Sequence, residues 1–267
     1  MIIRRYPFAA AIAAKPIPVL PDTVTINYCA KSNKGVEGIP VGVEKESLNI
    51  RTLNVAKYLG HFVTAMEFDN LKKFGEMFIR QLADSLKKNV FVFDAEKAFK
   101  NISEIVSYYD SNLINAYKQL KDFIDKMYEE FEKGGYDSSA LSSYGEYVCI
   151  ISGIDKFKML LGNEFNTIFG DLLIKIKAMP KMHFIIFDSV DNIKKNEYDP
   201  WYKSVMSPSR GIWIGDGITN QFTLKSTLSS RILGVKIDNN FGYYIDGSVT
   251  VLIKVVTEVG EPEIETL

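Results

Sequence analysis

The stretch from His61 to Phe74 joins an apolar strand candidate to an amphipathic helix candidate, which is where a nucleotide-driven motor places its phosphate-binding loop. Such a loop needs glycines, so that backbone N–H groups can converge on phosphate, a lysine for the terminal phosphates and a hydroxyl for magnesium. Ala65 and Phe68 stand at the glycine-like positions, and Asn70-Leu71-Lys72 stands where Gly-Lys-Ser/Thr would be. The sequence therefore predicts a degenerate nucleotide loop, made of Ala65, Met66, Glu67, Phe68, Asp69, Asn70, Leu71 and Lys72.

Two acidic residues in this loop, Glu67 and Asp69, place negative charge where a phosphate would lie. Asp69 also suits the N-cap of the following helix, because a carboxylate there accepts hydrogen bonds from the first backbone N–H groups. The loop is thus predicted to fill its own anion site.

A second nucleotide element would be an acidic pair at the end of an apolar strand, which holds magnesium and polarises water. The run Tyr147–Ile151 closes instead with Ser152-Gly153, and Asp155 comes two residues late. Ser152, Gly153 and Asp155 are therefore predicted to be the degenerate counterparts of that acidic motif, and no catalytic residue is assigned.

Three aspartates, Asp94, Asp155 and Asp188, each follow a strand candidate. They could meet at one sheet edge and hold a hard cation, or each could cap the turn or helix that follows. We favour capping and assign no metal site.

Residues 194–209 (KKNEYDPWYKSVMSPS) carry Tyr198, Trp201, Tyr202 and Met206 in a spacing that suits neither a helix stripe nor a strand face. Exposed aromatic and methionine side chains on a loop are typical anchors for a partner helix. The alternative is that Trp201 folds over the core as a lid.

Short, almost wholly apolar strand candidates alternate with helix candidates, which is typical of a mainly parallel sheet covered on both faces by helices. The strand candidates are Val41–Val43, Leu48–Ile50, His61–Ala65, Val90–Phe93, Tyr147–Ile151, Phe184–Phe187 and Ile212–Ile214, and the helix candidates are Asp69–Leu86, Ile102–Phe131 and Phe165–Ile176. An Asp246-Gly247 turn in Phe241–Val256 predicts a C-terminal β-hairpin. The fold class is therefore α/β, in three layers.

The amino-acid composition argues against nucleic-acid binding, a disulfide scaffold and cysteine- or histidine-rich metal sites. The 267 residues contain 32 Lys+Arg against 33 Asp+Glu, so the basic excess of a nucleic-acid-binding protein is absent. Two distant cysteines, Cys29 and Cys149, and only two histidines argue against a disulfide scaffold and against cysteine- or histidine-rich metal sites. We expect residues 1–25 to be a proline-containing lead-in, residues 26–257 one domain, and residues 258–267 a tail.

Four segments, in this order and spacing, resemble the FtsK/SpoIIIE-type ATPase modules, and most of all the C-terminal module of the type VII secretion ATPases (EssC-like, EccC-related). They are Lys15–Pro21 (KPIPVLP), Ile39–Leu48 (IPVGVEKESL), Gly211–Gly217 (GIWIGDG) and Phe241–Tyr244 (FGYY). The resemblance extends from about Lys15 to Val256.

This resemblance implies a RecA-like P-loop NTPase fold within a multi-module motor on the cytoplasmic side of the cell membrane, held there by the rest of the parent protein. It also implies ATP and magnesium as the cofactors of the parent family, and WXG100-type export substrates and neighbouring ATPase modules as partners. The even charge balance, in contrast, argues against nucleic acid as a partner. Since both nucleotide motifs are degenerate, we expect no cofactor in this domain and a role in substrate recognition and assembly. The alternatives are an active or weakly active ATP-binding module of the same motor and a DNA-translocase module.

Overall fold

Six parallel strands form one half of a single sheet in the computed structural model, which describes residues 19–32, 37–85, 88–179 and 181–260. These strands are β4 (Gly60–Ala65), β5 (Asn89–Asp94), β6 (Tyr108–Asp110), β7 (Tyr147–Ser152), β8 (Met182–Ser189) and β9 (Arg210–Ile214). Their spatial order is β9-β4-β8-β7-β5-β6, so β4 lies inside the parallel half, between β9 and β8.

The other half of the sheet is antiparallel and continues from β9. It contains β2 (Ile39–Glu44), β3 (Ile50–Leu53), β10 (Phe241–Asp246) and β11 (Val249–Glu258), in the order β3-β2-β11-β10-β9. The predicted hairpin is present, since Asp246 pairs with Val249 and Gly247 turns the chain with φ +64°. A short β1 (Val24–Thr25) pairs with β11.

Helices cover both faces of the sheet. Their bounds are α1 Ile26–Ser32, α2 Lys72–Arg80, α3 Leu113–Lys133, α4 Ile154–Leu161, α5 Phe165–Ala178, α6 Val190–Lys194, α7 Pro200–Val205 and α8 Ser230–Leu233. In β8 the side chains of Phe184 and Ile186 join the core cluster that contains α3, α4 and α5, whereas Ile185 and Phe187 join the cluster that contains α2. Burial on both faces explains why these strands read as continuous apolar runs. The predicted α/β class with a mainly parallel sheet is confirmed.

The predicted helix Ile102–Phe131 is wrong in its first third. Residues Lys100–Ile102 form a 3₁₀ turn, β6 follows, and α3 begins only after Asn112, whose side chain accepts hydrogen bonds from the N–H groups of Ile114 and Asn115. The apolar residues of the two parts pack on opposite faces of the sheet: Ile102 on the α2 side and Leu120 on the α3 side. A single helical stripe therefore does not exist here.

Smaller differences concern element boundaries. The candidate strand Leu48–Ile50 is largely a turn, in which Leu48 has φ +59°, and β3 starts at Ile50. Cys29 and Cys149 are both free and buried, as expected from their spacing. Residues 1–18 and 261–267 of the predicted lead-in and tail lie outside the described residues, while Val24–Thr25 and Glu258 are strand residues. None of the helices within the described ranges has the length and apolar character that a bilayer crossing requires.

Candidate functional site

The carboxyl ends of four neighbouring parallel strands lie together, and this edge is where an α/β sheet binds ligands. In the pairing register Ala65 of β4 faces Ser189 of β8, and Ser152 of β7 faces Asp94 of β5. The structure therefore brings the predicted loop Ala65–Lys72 and the predicted Ser152-Gly153 motif to the same edge.

The loop after β4 is a short 3₁₀ turn, Phe68–Leu71, that runs directly into α2. The N–H of Asn70 donates to the carbonyl of Glu67 at 3.2 Å, and the N–H of Lys72 donates to the carbonyl of Asp69. Backbone N–H groups that a phosphate-binding loop would aim at an anion are thus used within the turn. Glu67 is exposed and makes no side-chain cap.

The prediction that Asp69 is the N-cap of the helix is wrong. Asp69 lies inside the 3₁₀ turn, and its carboxylate pairs with Lys72 at 2.6 Å while the Asp69 side chain remains 80% exposed. The residue in the N-cap position of α2 is Leu71, which has no side-chain cap. Because the 3₁₀ turn already supplies carbonyl acceptors to the start of α2, the helix does not need a capping carboxylate.

Chain segments from far along the sequence close over this loop. The Met66 side chain packs with the cluster around Trp213 and Ile218, and an added Cβ on Gly217 (φ +88°) would lie 2.6 Å from Met66 Cγ. Asn239 donates its side-chain N–H to Asn70 Oδ1 at 2.9 Å. The side chains of Met66 and Asn239 thus fill space beside the loop after β4.

At the end of β7, Ser152 is fully buried and donates its hydroxyl hydrogen to Asp94 Oδ1 at 2.6 Å. Gly153 follows with φ +79°, and a Cβ there would meet Ala95 and Glu96 at 3.0 Å. The strand end is therefore built for close packing against the β5 turn. Asp155, in the first turn of α4, pairs with Lys195 at 2.9 Å.

Asp94 is a buried structural carboxylate. Its oxygens accept hydrogen bonds from the N–H groups of Ala98 (3.0 Å) and Phe99 (2.8 Å), from the Ser152 hydroxyl and from the Tyr109 hydroxyl (2.8 Å). Burial and the hydrogen bond to Asp94 raise the pKa of Tyr109, so this hydroxyl stays protonated as a donor. Asp94 caps the turn that follows β5.

Asp188, at the end of β8, is less completely paired. Its Oδ1 accepts from the N–H of Ser189 (2.8 Å) and from Asn192 (2.9 Å), whereas its buried Oδ2 makes no hydrogen bond of good geometry, although the backbone N–H of Ile154 is close enough to favour the charged carboxylate. Burial raises the pKa of Asp188 to about 6. Thr64, which faces Asp188 in the register, also has a buried hydroxyl without a partner.

The three aspartates are thus engaged separately: Asp94 in a turn, Asp155 with a lysine, and Asp188 with its own helix. Within the ranges that the structure describes, no group of three or more histidine, cysteine, aspartate or glutamate side chains could hold a metal ion.

The aromatic segment after β8 differs from the expectation, because Pro200–Val205 forms α7 with Pro200 in its first turn. Trp201 is only 2% exposed and packs edge-on against Phe165 and Phe169 of α5, at ring-centroid distances of 6.1 and 5.4 Å. Its indole N–H donates to Asp199 at 3.3 Å.

Trp201 and Met206 are therefore core residues in this structure, not exposed anchors. Tyr202 is partly buried, with its ring 5.8 Å from that of Phe62. Tyr198 is 80% exposed and alone keeps the accessibility that an anchor needs. The lid alternative is confirmed for Trp201.

Sequence reasoning did not identify Tyr109 or Asn239 at this edge of the sheet, and it placed Met66 in the loop without predicting what Met66 contacts. The position of Tyr109, within a segment interpreted as helix, concealed that it lies on β6 beside β5. Met66 and Asn239 act through contacts between distant segments, for which the sequence carries no local signal.

No protein-family model matches the sequence, and no curated protein is significantly similar to it. Solved structures are similar in fold. EssC (ATPases 2 and 3) from Geobacillus thermodenitrificans superposes with a TM-score of 0.72 at 12% identity, covering 96% of this chain and 49% of that chain.

EccC (ATPases 2 and 3) from Thermomonospora curvata, in complex with a signal sequence peptide, gives a TM-score of 0.63 at 17% identity over 93% of this chain and 45% of that chain. The pCW3 conjugation coupling protein TcpA, in its monomer form with ATPγS, gives 0.61 at 13% identity over 89% and 70%. This chain spans about half the length of the EssC and EccC structures. The predicted resemblance is thus confirmed for the fold: the chain has the RecA-like P-loop ATPase fold of the EssC and EccC ATPase domains.

Proposed function

We propose that this chain is an ATPase-like module of a type VII secretion motor and that it recognises export substrates or neighbouring modules instead of hydrolysing ATP. The module is residues 26–257, between a lead-in and a tail. It works on the cytoplasmic side of the membrane, to which the remainder of the parent protein attaches it, and it needs no cofactor and no nucleic acid.

The loop after β4 carries the first part of this proposal. The N–H groups of Asn70 and Lys72 are committed to the 3₁₀ turn, and Met66 and Asn239 pack beside it. Glu67 adds a negative charge beside this turn, and the one lysine of the loop, Lys72, is already paired with Asp69. Together these features oppose phosphate binding.

The degenerate end of β7 supports the same interpretation. A hydrolytic site needs a carboxylate near magnesium, but the strand ends in Ser152, whose hydroxyl is used by Asp94. Asp155 is held by Lys195. Neither side chain is available to a metal-bound nucleotide.

Calorimetry with ATP and magnesium tests this part. We expect no saturable heat. Binding with a micromolar dissociation constant would contradict the proposal and favour an ATP-binding module, particularly if Lys72→Ala removed it and the exposed control Lys203→Ala did not.

The recognition role rests on the similarity to motor modules, one of which was solved with a signal sequence peptide. A C-terminal peptide from a candidate WXG100-type protein should bind this chain, and a scrambled peptide should not. If the exposed Tyr198 contributes an anchor, Tyr198→Ala weakens binding by about tenfold or more. Phe222→Ala is the matched control, because Phe222 is equally exposed (82% against 80%) but lies in the segment after β9. Absence of binding by any such peptide would contradict the recognition role.

A further inference from the structure

A polar cleft lies at the end of the sheet opposite the nucleotide-loop edge. The segment that leads from β3 to β4 crosses over the starts of β4 and β9, and the cleft of about 140 Å³ lies between this crossover and the β9–β10 pair. Its lining includes Tyr58, His61, Arg210 and Asp246. The cleft is distinct from the site described above, because Gly60 and Arg210 lie at the amino-terminal ends of β4 and β9, whereas that site lies at the carboxyl ends of the parallel strands.

The guanidinium group of Arg210 lines this cleft without a carboxylate as its ion-pair partner in the part of the chain that the structure describes. It stacks on the Tyr58 ring, with the guanidinium carbon 3.9 Å from the ring centroid. Among the described residues it has no ion-pair partner, although Asp246 is its register partner across the β9–β10 pair. This contact with the face of the ring holds the guanidinium in the cleft without using its N–H donors, which can therefore bind an oxygen anion.

The other charges of the cleft cancel. Asp246 pairs with Lys57 at 2.8 Å and accepts the Tyr58 hydroxyl at 3.1 Å. His61 is 3% exposed, and burial lowers the pKa of its imidazole to about 4, so it is neutral near pH 7. The cleft therefore carries one net positive charge, that of Arg210.

We propose that this cleft is a binding site for a single carboxylate group, held by the Arg210 fork. A carboxylate has one negative charge and two coplanar oxygens, which match one guanidinium. A phosphate dianion would bring a second negative charge towards Asp246. The volume is several times the ~30 Å³ of one water molecule, so a carboxylate on a short alkyl chain fits.

The carboxylate has two possible sources, a free small acid or an acidic side chain of a polypeptide. The probes are sodium acetate for the first and N-acetyl-glutamate N-methylamide for the second, with the neutral glutamine analogue as control. The Arg210 Nε–H signal in a ¹⁵N-correlated NMR spectrum reports binding, and Arg210→Gln assigns that signal.

We expect a saturable shift of this signal with a carboxylate and none with the glutamine analogue. A glutamate probe that binds about tenfold more tightly than acetate identifies a polypeptide side chain, and equal affinities identify a free acid.

The variants at Arg210 lack the Arg210 Nε–H signal, so their binding is measured from the chemical shift of a backbone amide at the mouth of the cleft. Arg210→Gln should weaken binding at least about tenfold, and Arg210→Lys, which keeps the charge but loses the fork, should weaken it less. Arg231→Gln, at an exposed arginine of α8, should leave binding unchanged.

Thermal melting establishes that each variant is folded; if Arg210→Gln does not fold, Arg210→Lys alone carries the comparison. Three results would overturn the proposal: no saturable shift up to ~100 mM of either acid, unchanged affinity in every folded Arg210 variant, or tighter binding of inorganic phosphate than of both acids at a pH where phosphate is a dianion.

Discussion

Asp69 and Asn112 are both polar residues close to the start of a helix, but only Asn112 caps one. Asn112 Oδ1 accepts from two backbone N–H groups, at 3.1 and 3.4 Å, whereas Asp69 forms one exposed ion pair with Lys72. Asn112→Ala should lower the free energy of unfolding by about 1 kcal/mol. Asp69→Ala should change it by less than about 0.5 kcal/mol. Urea denaturation of the two variants checks this. A loss of unfolding free energy for Asp69→Ala as large as that for Asn112→Ala would indicate that Asp69 is a helix cap after all.

Asp188 should make the stability of the protein depend on pH. Its pKa rises on folding, through burial, from 3.8 to about 6, so the folded state binds this proton more tightly than the unfolded state. The charged carboxylate therefore destabilises the fold above about pH 6, by roughly 2–3 kcal/mol, and this penalty disappears as the pH falls towards 4.

Two buried histidines act in the opposite direction over the same range. The pKa values of His61 and His183 are lowered by burial, so stability is lost as the pH falls from 6.5 and these rings take up protons. The wild-type curve is therefore a sum, and the Asp188→Asn variant isolates one contribution. The variant should be more stable than the wild type at pH 7, and the difference should shrink by pH 4. A pH-independent difference in chemical denaturation would show that Asp188 keeps its ordinary pKa in the folded protein.

At the scale of the elements, α7 attaches the segment after β8 to the core through Trp201. This side chain packs edge-on against the rings of both Phe165 and Phe169 on α5, which stack on each other. Trp201→Ala should cost about 3–5 kcal/mol, because it leaves a large cavity against α5. Tyr198→Ala, three residues earlier but 80% exposed, should change stability by no more than about 0.5 kcal/mol. Equal melting temperatures for wild type and Trp201→Ala would contradict the packing described.

The elements that could be predicted are those whose signal is local. The runs that became β4, β7 and β8 are apolar because they are covered on both faces, and the stripe of α5 is continuous. The segment Ile102–Phe131 misleads because its apolar spacing continues through a 3₁₀ turn, a strand and a helix that bury opposite faces. Only Asn112, as a capping residue, marks the true helix start.

In the candidate site, too, only the features that have a local signal in the sequence could be predicted. The absence of glycines and of Gly-Lys-Ser/Thr in Ala65–Lys72 can be seen in the sequence itself. The contacts of this loop with Gly217 and Asn239 cannot, because they depend on how the antiparallel half of the sheet brings the later segment back. Burial of Trp201 likewise depends on α5, which lies in another part of the sequence.

At the scale of the whole molecule, the sequence carries 32 Lys+Arg against 33 Asp+Glu, and several of the described lysines lie beside carboxylates. Three lysine pairs in the sequence, Lys72-Lys73, Lys87-Lys88 and Lys194-Lys195, could suggest a phosphate-binding surface, but four of these six lysines form ion pairs with carboxylates among the described residues. The matched pairs are Lys72–Asp69, Lys73–Glu258, Lys88–Glu146 and Lys195–Asp155. Such pairs contribute little to stability when exposed, but they remove the field that would attract a polyanion.

The charge balance bears on the choice between the proposed secretion module and a DNA-translocase module of the same fold. DNA binding gains its free energy from counterions released when lysine and arginine neutralise phosphates, and a chain with formal net charge −1 has no surplus cations to supply it. Fluorescence anisotropy with a labelled duplex at about 50 mM salt, where such binding is strongest, should therefore show no saturable change. A basic peptide at the same concentration is the positive control. Binding of the duplex with an affinity that falls steeply as salt is added would contradict this expectation. It would mean that lysine and arginine side chains contact phosphates despite their paired carboxylates, and the DNA-translocase alternative would then replace the secretion proposal.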